Sequence, residues 1–241
     1  MNQIVVTGDN GGLGSKICSK ILEETSNGVI GLSRHSNEAV VRLGEKFGDR
    51  YCHIDFDLSA SEEIKKLYRS KIRPLGNIVG LVNNAACAYD DIVTNLQLEP
   101  LEKMFKINVY APMMLTKYAI RDMLVSNIKG SIIHVSSVSA HTGYKGLAMY
   151  ASTKGALEAF SKNVAREWGV KGIRSNVVAP GFMETAISEK LTDEQREKIY
   201  QRTSLKEATS IDSVADTIVF LLSDKAMSIT GAVVSVDNGT V

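Results

Sequence analysis

The chain has 241 residues, a formal net charge of +1, 44% hydrophobic and 23% charged residues, the balance of an ordinary globular protein with a sizeable core. Near-neutral charge gives no ground for expecting nucleic acid or an anionic membrane as the main partner, and no apolar run approaches the ~20 residues of a membrane span. Three widely spaced cysteines (Cys18, Cys52, Cys87) give no disulfide frame, and four histidines (His35, His53, His134, His141) show no metal-ligand spacing, so no metal is expected.

The first predicted strand, Gln3–Thr7, runs into Gly8-Asp9-Asn10-Gly11-Gly12-Leu13-Gly14. The helix Gly12–Thr25 follows, with Leu13, Ile17, Ile21 and Leu22 on one face. Next come strand Val29–Ser33, helix Glu38–Phe47, strand Tyr51–Asp55, helix Ser61–Lys71, strand Ile78–Asn83 and the long helix Leu101–Val125. Strand Ser131–Ser136, helix Tyr150–Trp168 and strand Arg174–Ala179 continue the alternation. A charged, irregular connection, Phe182–Leu205, carries helix Thr192–Tyr200 and reads as a substrate-side helical flap. Helix Ile211–Leu222 and strand Ala232–Val236 close the chain. Short apolar strands separated by helices predict an α/β fold. It is a single doubly wound Rossmann fold, a central seven-stranded parallel sheet flanked by helices on both faces. No linker, composition shift or repeat divides residues 1–241, so one domain is expected. The N-terminus lacks a basic n-region and a signal h-region, which predicts a cytoplasmic protein.

Two features carry chemistry. A strand, a glycine turn and a helix N-terminus form an anion site whose backbone N–H groups point at a diphosphate, and glycines are required where a Cβ would block the ligand or the turn. The spacing here is G-x-x-x-G-x-G rather than G-x-G-x-x-G, and a glycine cluster alone is an ordinary turn as often as a phosphate seat. The second feature is Tyr150-Ala-Ser-Thr-Lys154, with Ser137 thirteen residues before the tyrosine. Four residues are about one helical turn, so both side chains share a face. A buried ammonium beside a phenol is expected to lower the phenol from its ordinary pKa of ~10 and make it a proton shuttle near neutrality. Taken singly, Tyr150 and Lys154 read as a packed ring and a solvated charge, and Ser137 as a helix cap. Together, at the C-terminal edge of a parallel sheet, they read as a site.

These motifs, with Asn83-Asn84-Ala85-Ala86, Asn108, Asn176 through Pro180-Gly181, Ile229-Thr230-Gly231 and Asp237, resemble the short-chain dehydrogenase/reductase family, from Thr7 to Gly239. Within it the chain is most similar to the 3-oxoacyl-[acyl carrier protein] reductase branch. The resemblance implies a hydride transfer between a nicotinamide and a carbonyl or secondary alcohol. Tyr150 would be the general acid or base, Lys154 its modulator and a ribose contact, Ser137 a donor to the substrate oxygen, and Asn108 the holder of a water chain. Asn108 also reads as a purely structural amide. Gly8, Asn10, Gly11, Gly12, Leu13, Gly14, Ser33, Arg34, Asp57, Leu58, Asn84, Ala85, Tyr150, Lys154, Pro180 and Gly181 would bind the cofactor. The chain departs from the family in Asn84-Ala85-Ala86, where Asn-Ala-Gly is usual, and in Asp237-Asn238-Gly239, where Asp-Gly-Gly is common.

NAD-preferring relatives end the second strand in an acid, but this chain has Ser33-Arg34, which favours NADP(H) over NAD(H). Arg34 stacking on adenine, or remaining solvated, is the alternative, and Asp57 fits either an adenine contact or a helix cap. Three functions stay open: an NADPH-dependent ketone reductase with 3-oxoacyl thioesters among its candidate substrates, a dehydrogenase of a small polyol, sugar or other hydroxy compound, and an NADP(H)-binding regulator. Lys129, Lys171 and Arg166 fall at or near positions where the reductase branch carries basic residues toward acyl carrier protein, and equally read as surface charge. The family resemblance also implies a homo-oligomer, a tetramer or dimer pairing the two long helices.

Overall fold

The computed structural model describes residues 1–185 and 192–240. Seven parallel strands, β1 (Asn2–Thr7), β2 (Gly28–Ser33), β3 (Tyr51–Asp55), β4 (Asn77–Asn83), β5 (Ser131–Val135), β6 (Arg174–Pro180) and β7 (Val233–Val236), form one sheet in the order β3-β2-β1-β4-β5-β6-β7. The order reverses between β1 and β4, and ligands of such sheets bind at the strand C-termini beside that reversal.

Successive strand residues face opposite ways, and β1 shows it. Ile4 and Val6 pack into a core with α1 (Gly12–Glu24), α2 (Glu38–Phe47) and α8 (Ile211–Leu222). Val5, between them, packs into the other core with α3 (Ile64–Leu67), α5 (Ala111–Val125) and α6 (Ala148–Trp168). This two-sided burial explains the nearly unbroken apolar runs that marked the strands in the sequence.

Two helices depart from expectation. The segment expected as helix Ser61–Lys71 is a 3-10 turn, α3 and a wide π turn over Tyr68–Ile72, stopped by Pro74. The helix expected over Leu101–Val125 starts earlier and is divided into α4 (Leu98–Phe105), a π turn over Lys106–Tyr110, and α5. In that turn the Ala111 N–H reaches back to the Lys106 carbonyl, five residues away. Pro112 has no N–H to give the carbonyl of Asn108, so the ordinary ladder breaks at Asn108. Of the expected flap 182–205, the described part includes α7 (Asp193–Tyr200), started by a reciprocal Thr192–Gln195 capping box. Residues 186–191 lie outside the described residues. No helix among the described residues is long and apolar enough to cross a membrane.

Candidate active site

At the end of β1 the chain turns on Gly8, whose φ of +74° suits glycine. Its N–H donates to the Leu32 carbonyl at 2.7 Å, and its carbonyl accepts the Gly11 N–H at 3.1 Å. A Cβ on Gly14 would overlap the Gly8 carbonyl oxygen, so the loop closes on the first turn of α1 only with glycine there. Gly11 and Gly12 are exposed, no side chain caps α1, and its first turn holds no acid. The helix therefore presents bare backbone donors, a seat for a diphosphate.

Thr7 holds this loop to the next strand. Its Oγ1 accepts the N–H groups of Asn84 at 3.0 Å and Ala85 at 2.9 Å, while Asn84 Nδ2 donates back to the Thr7 carbonyl at 2.9 Å. Asp9, fully buried beneath the loop, takes the Tyr51 hydroxyl at 2.6 Å and lies 2.7 Å from His53 Nδ1. A Cβ on Gly31 would collide with that carboxylate. Asn10 donates to the His35 carbonyl at 3.0 Å and accepts from Asn37 at 2.8 Å, tying the loop to the segment that carries Arg34. The glycine motif of the sequence contains Thr7 and Asp9, but the motif alone assigns neither a task. An acid among glycines before a helix was the signal available, because a buried carboxylate requires donors.

The second half of the site is built on β5 and α6. Ser137 follows β5, and its Oγ accepts the Ser139 N–H at 3.2 Å, fixing the rotamer. Lys154 is almost wholly buried, and its Nζ donates to the Val135 carbonyl at 2.8 Å. The same nitrogen lies 5.4 Å from the centroid of the Tyr150 ring, as one helical turn requires. Asn108 is buried and saturated. Its Oδ1 accepts the Cys87 N–H at 2.9 Å, and its Nδ2 donates to the Cys87 carbonyl at 2.8 Å and to Thr153 Oγ1 at 3.1 Å.

The electrostatics correct one expectation. Tyr150 is not lowered by its lysine. Burial pushes the phenol up, and the charges of Asp90 and Cys87 add to the rise. Burial instead depresses Lys154 to about 8. The two groups lie one helical turn apart, but burial is the largest influence on each, raising the phenol and lowering the ammonium. His134, buried below the site, is held down to about 3 by burial and by the Lys154 charge, so it is a neutral packing group that meets the Phe160 ring edge-on. The Cys87 thiol is raised by burial and is correspondingly inert.

One cavity of about 910 Å³ joins the two halves. It is lined by Gly8, Asn10, Gly11, Gly12, Leu13, Gly14, Ser33, Arg34, Asp57, Leu58, Asn84, Ala85, Pro180 and Gly181, and also by Ser137, Tyr150 and Lys154. Asn108 stands behind this wall rather than in it. Ser33 closes β2 with no carboxylate, and Arg34 is exposed with no hydrogen-bond or ion-pair partner among the described residues. Asp57 receives the Ser59 N–H at 2.8 Å, which chiefly holds its carboxyl low; this is a local turn and not the expected helix cap, because Ala60 stands at the start of the turn Ser61–Glu63 with no side-chain cap. Asn238 adopts φ +57°, a conformation that favours glycine, and its Nδ2 spans the Glu207 and Ala208 carbonyls, which hold the C-terminal turn. A nicotinamide dinucleotide fits this lining: bare N–H donors for its diphosphate, an unpaired guanidinium at one end, and a phenol with an ammonium at the other. No group of acids, histidines and cysteines able to hold a metal occurs among the described residues.

A family model described as enoyl-(acyl carrier protein) reductase matches residues 8–241, and with the site geometry this decides the family. The chain belongs to the short-chain dehydrogenase/reductase family. As a member it is an NAD(P)-dependent oxidoreductase acting on CH–OH groups. A 3-oxoacyl-[acyl-carrier-protein] reductase of Aquifex aeolicus is 31% identical over 237 residues, covering 98% of this chain and 95% of its own length. A structure of 4-hydroxyisoleucine dehydrogenase complexed with NADH superposes with a TM-score of 0.93 at 28% identity, covering 100% of this chain and 98% of the other. The structure of ElxO with NADP bound gives a TM-score of 0.89 at 26% identity, covering 99% and 98%. In this short-chain dehydrogenase/reductase, Lys129 and Lys171 precede β5 and β6 and so lie at the sheet edge opposite the cavity. Neither lines it.

Proposed function

We propose that the chain is an NADP(H)-dependent reductase of a carbonyl compound, working reversibly on the corresponding secondary alcohol. The observation that carries this reading is the convergence of Ser137, Tyr150 and Lys154 on one end of a cavity whose other end is marked by Arg34. When bound, the reduced nicotinamide supplies the hydride. The Ser137 hydroxyl donates to the carbonyl oxygen as charge builds there. The Tyr150 hydroxyl delivers the proton to the nascent alkoxide. Its raised pKa suits it to remain protonated until a stronger base than phenolate forms. Proton loss leaves a Tyr150 phenolate, which the Lys154 ammonium one helical turn away would stabilise while also reaching the ribose. Both N–H groups of the Asn108 side chain are already used, so its contact with a proton-supplying water is assigned to its backbone carbonyl, which Pro112 leaves without the usual donor.

The choice of NADP(H) rests on Ser33 and Arg34. A guanidinium presents a planar fork to a 2′-phosphate, while the missing carboxylate removes the repulsion that would exclude it. Oxidation of NADPH and of NADH against a panel of ketones tests both parts. Arg34→Ala should raise the KM for NADPH about tenfold to a hundredfold, the worth of one charge-assisted hydrogen bond, and leave the KM for NADH nearly unchanged. An unaltered ratio of the two would remove Arg34 from cofactor selection, and no turnover with any ketone would count against the reductase reading itself.

A further inference from the structure

Three segments meet at the Tyr150 end of the cavity, and each brings an exposed charge without an ion pair among the described residues. Asp90 comes from the stretch after β4, Lys145 from the loop between β5 and α6, and Arg202 from the turn after α7. The segments are fixed to one another. The Asp91 N–H donates to the Gly146 carbonyl at 3.0 Å, joining the first to the second. The Arg202 guanidinium carbon lies 5.6 Å from the centroid of the Tyr144 ring, joining the third to the second, and Lys145 and Arg202 both line the cavity. A guanidinium stacked by its face keeps its N–H edge available for an anion. Nearby cations on α7 are satisfied: Lys198 pairs with Glu194 at 2.6 Å and Arg196 with Glu184 at 3.2 Å. Lys145 and Arg202 have no such partner among the described residues. The same cavity is also lined by the apolar side chains of Leu147, Phe182, Met183 and Ile199.

Resting on the reductase reading above, we propose that the substrate carries an anionic group, a carboxylate or a phosphate, held by Lys145 and Arg202 at the outer end of the cavity and separated from the reacting carbonyl. Asp90 sets the separation. It is near enough to act on the Tyr150 phenol, so an anion bonded directly to the reacting carbon would face like charge. The two cations favour an anion several bonds farther out, and the apolar lining takes the carbon skeleton between. Carrier docking through Lys129 or Lys171 is no part of this arrangement, because both lie on the opposite sheet edge.

The test compares 4-oxopentanoate with its methyl ester, using the NADPH-saturated enzyme. The acid should show a kcat/KM roughly tenfold above the ester at low salt, as expected for two partly exposed ion pairs, and the advantage should shrink as salt is added. It should also exceed that of 2-oxopropanoate, whose carboxylate adjoins the carbonyl. The double variant Lys145→Gln, Arg202→Gln should bring the acid down to the level of the ester. An ester reduced as well as the acid, or an advantage that survives the double substitution, overturns the anion site and leaves the reductase reading standing. If no ketone is reduced, the reductase reading fails instead, and the anion site is judged by thermal shift of the NADPH-saturated protein with malonate and with inorganic phosphate. A rise in wild type that is lost in the double variant supports it, and no rise with either anion overturns it.

Discussion

A Tyr150→Phe variant is expected to bind NADPH as wild type does and to lose turnover by ~10² to ~10⁴, the range that a positioned general acid contributes. The substitution removes one oxygen and keeps the ring. The ring's packing over the Lys154 ammonium, 5.4 Å from its centroid, is therefore retained. The glycine turn, Thr7 and Asn84 depend on none of the phenol's bonds, so the seat of the cofactor's diphosphate is left intact and only a small change in affinity is expected. Fluorescence titration with NADPH and single-turnover hydride transfer separate the two quantities. Equal turnover by the two proteins would take Tyr150 out of the proton transfer. Loss of NADPH binding would show that the hydroxyl serves the cofactor instead.

Lys154→Met should produce a protein that is more stable and almost inactive. The lysine is held at 2% exposure, with a single carbonyl as its hydrogen-bond partner, and a buried charge so poorly compensated costs more than it returns. A thioether of similar length fills the space without that penalty. The direction with pH follows from the pKa. Folding brings Lys154 from its ordinary 10.5 down to about 8, so between those values the unfolded chain holds the extra proton. Wild-type stability should therefore climb as pH rises from about 8 toward 10.5, by about 3 kcal/mol from this group alone. Below pH 8 both states are protonated and the full cost of the buried cation remains. Activity should run the other way, declining above pH 8 as the ammonium is lost. Urea melts at several pH values should show the slope in wild type and a flatter one in the variant. A variant that is less stable at pH 7, or one that retains activity, would contradict the assignment of Lys154 as a charge kept for chemistry at the expense of the fold.

The strands were legible because each central one is buried on both faces, and an apolar run of five to seven residues between polar turns is too short for a helix in an alternating chain. Helices with a single apolar stripe were equally plain: α2 falls at the expected residues. The π turns were not. Helical periodicity runs through Lys106–Tyr110 without a visible break, and only Pro112, two residues beyond, marks where the ladder changes. In the site, the residues expected to line the cofactor were recognisable from glycine spacing and from the unusual Ser33-Arg34, both local in sequence. What stayed hidden was long-range. Thr7 meets Ala85 across 78 positions, and Asp9 meets Tyr51 across 42. The state of the phenol could not be read from spacing either, because Tyr-x-x-x-Lys fixes distance but says nothing of how dry the surroundings are. The placement of Lys129 and Lys171 away from the cavity was hidden for a related reason. Sequence neighbourhood to β5 and β6 does not tell which end of the sheet a residue occupies until the strands are known to be parallel.

The carboxylate of Asp9 occupies the volume where a residue at position 31 would put its first side-chain carbon, and its Oδ2 takes both of its partners, Tyr51 and His53, from the third strand. Four positions scattered over some forty-five residues are thereby locked into joint inheritance. A homologue that acquires an acid at position 9 can keep it only with glycine at 31 and donors at 51 and 53, so an alignment of close homologues should show these four sites changing together or not at all.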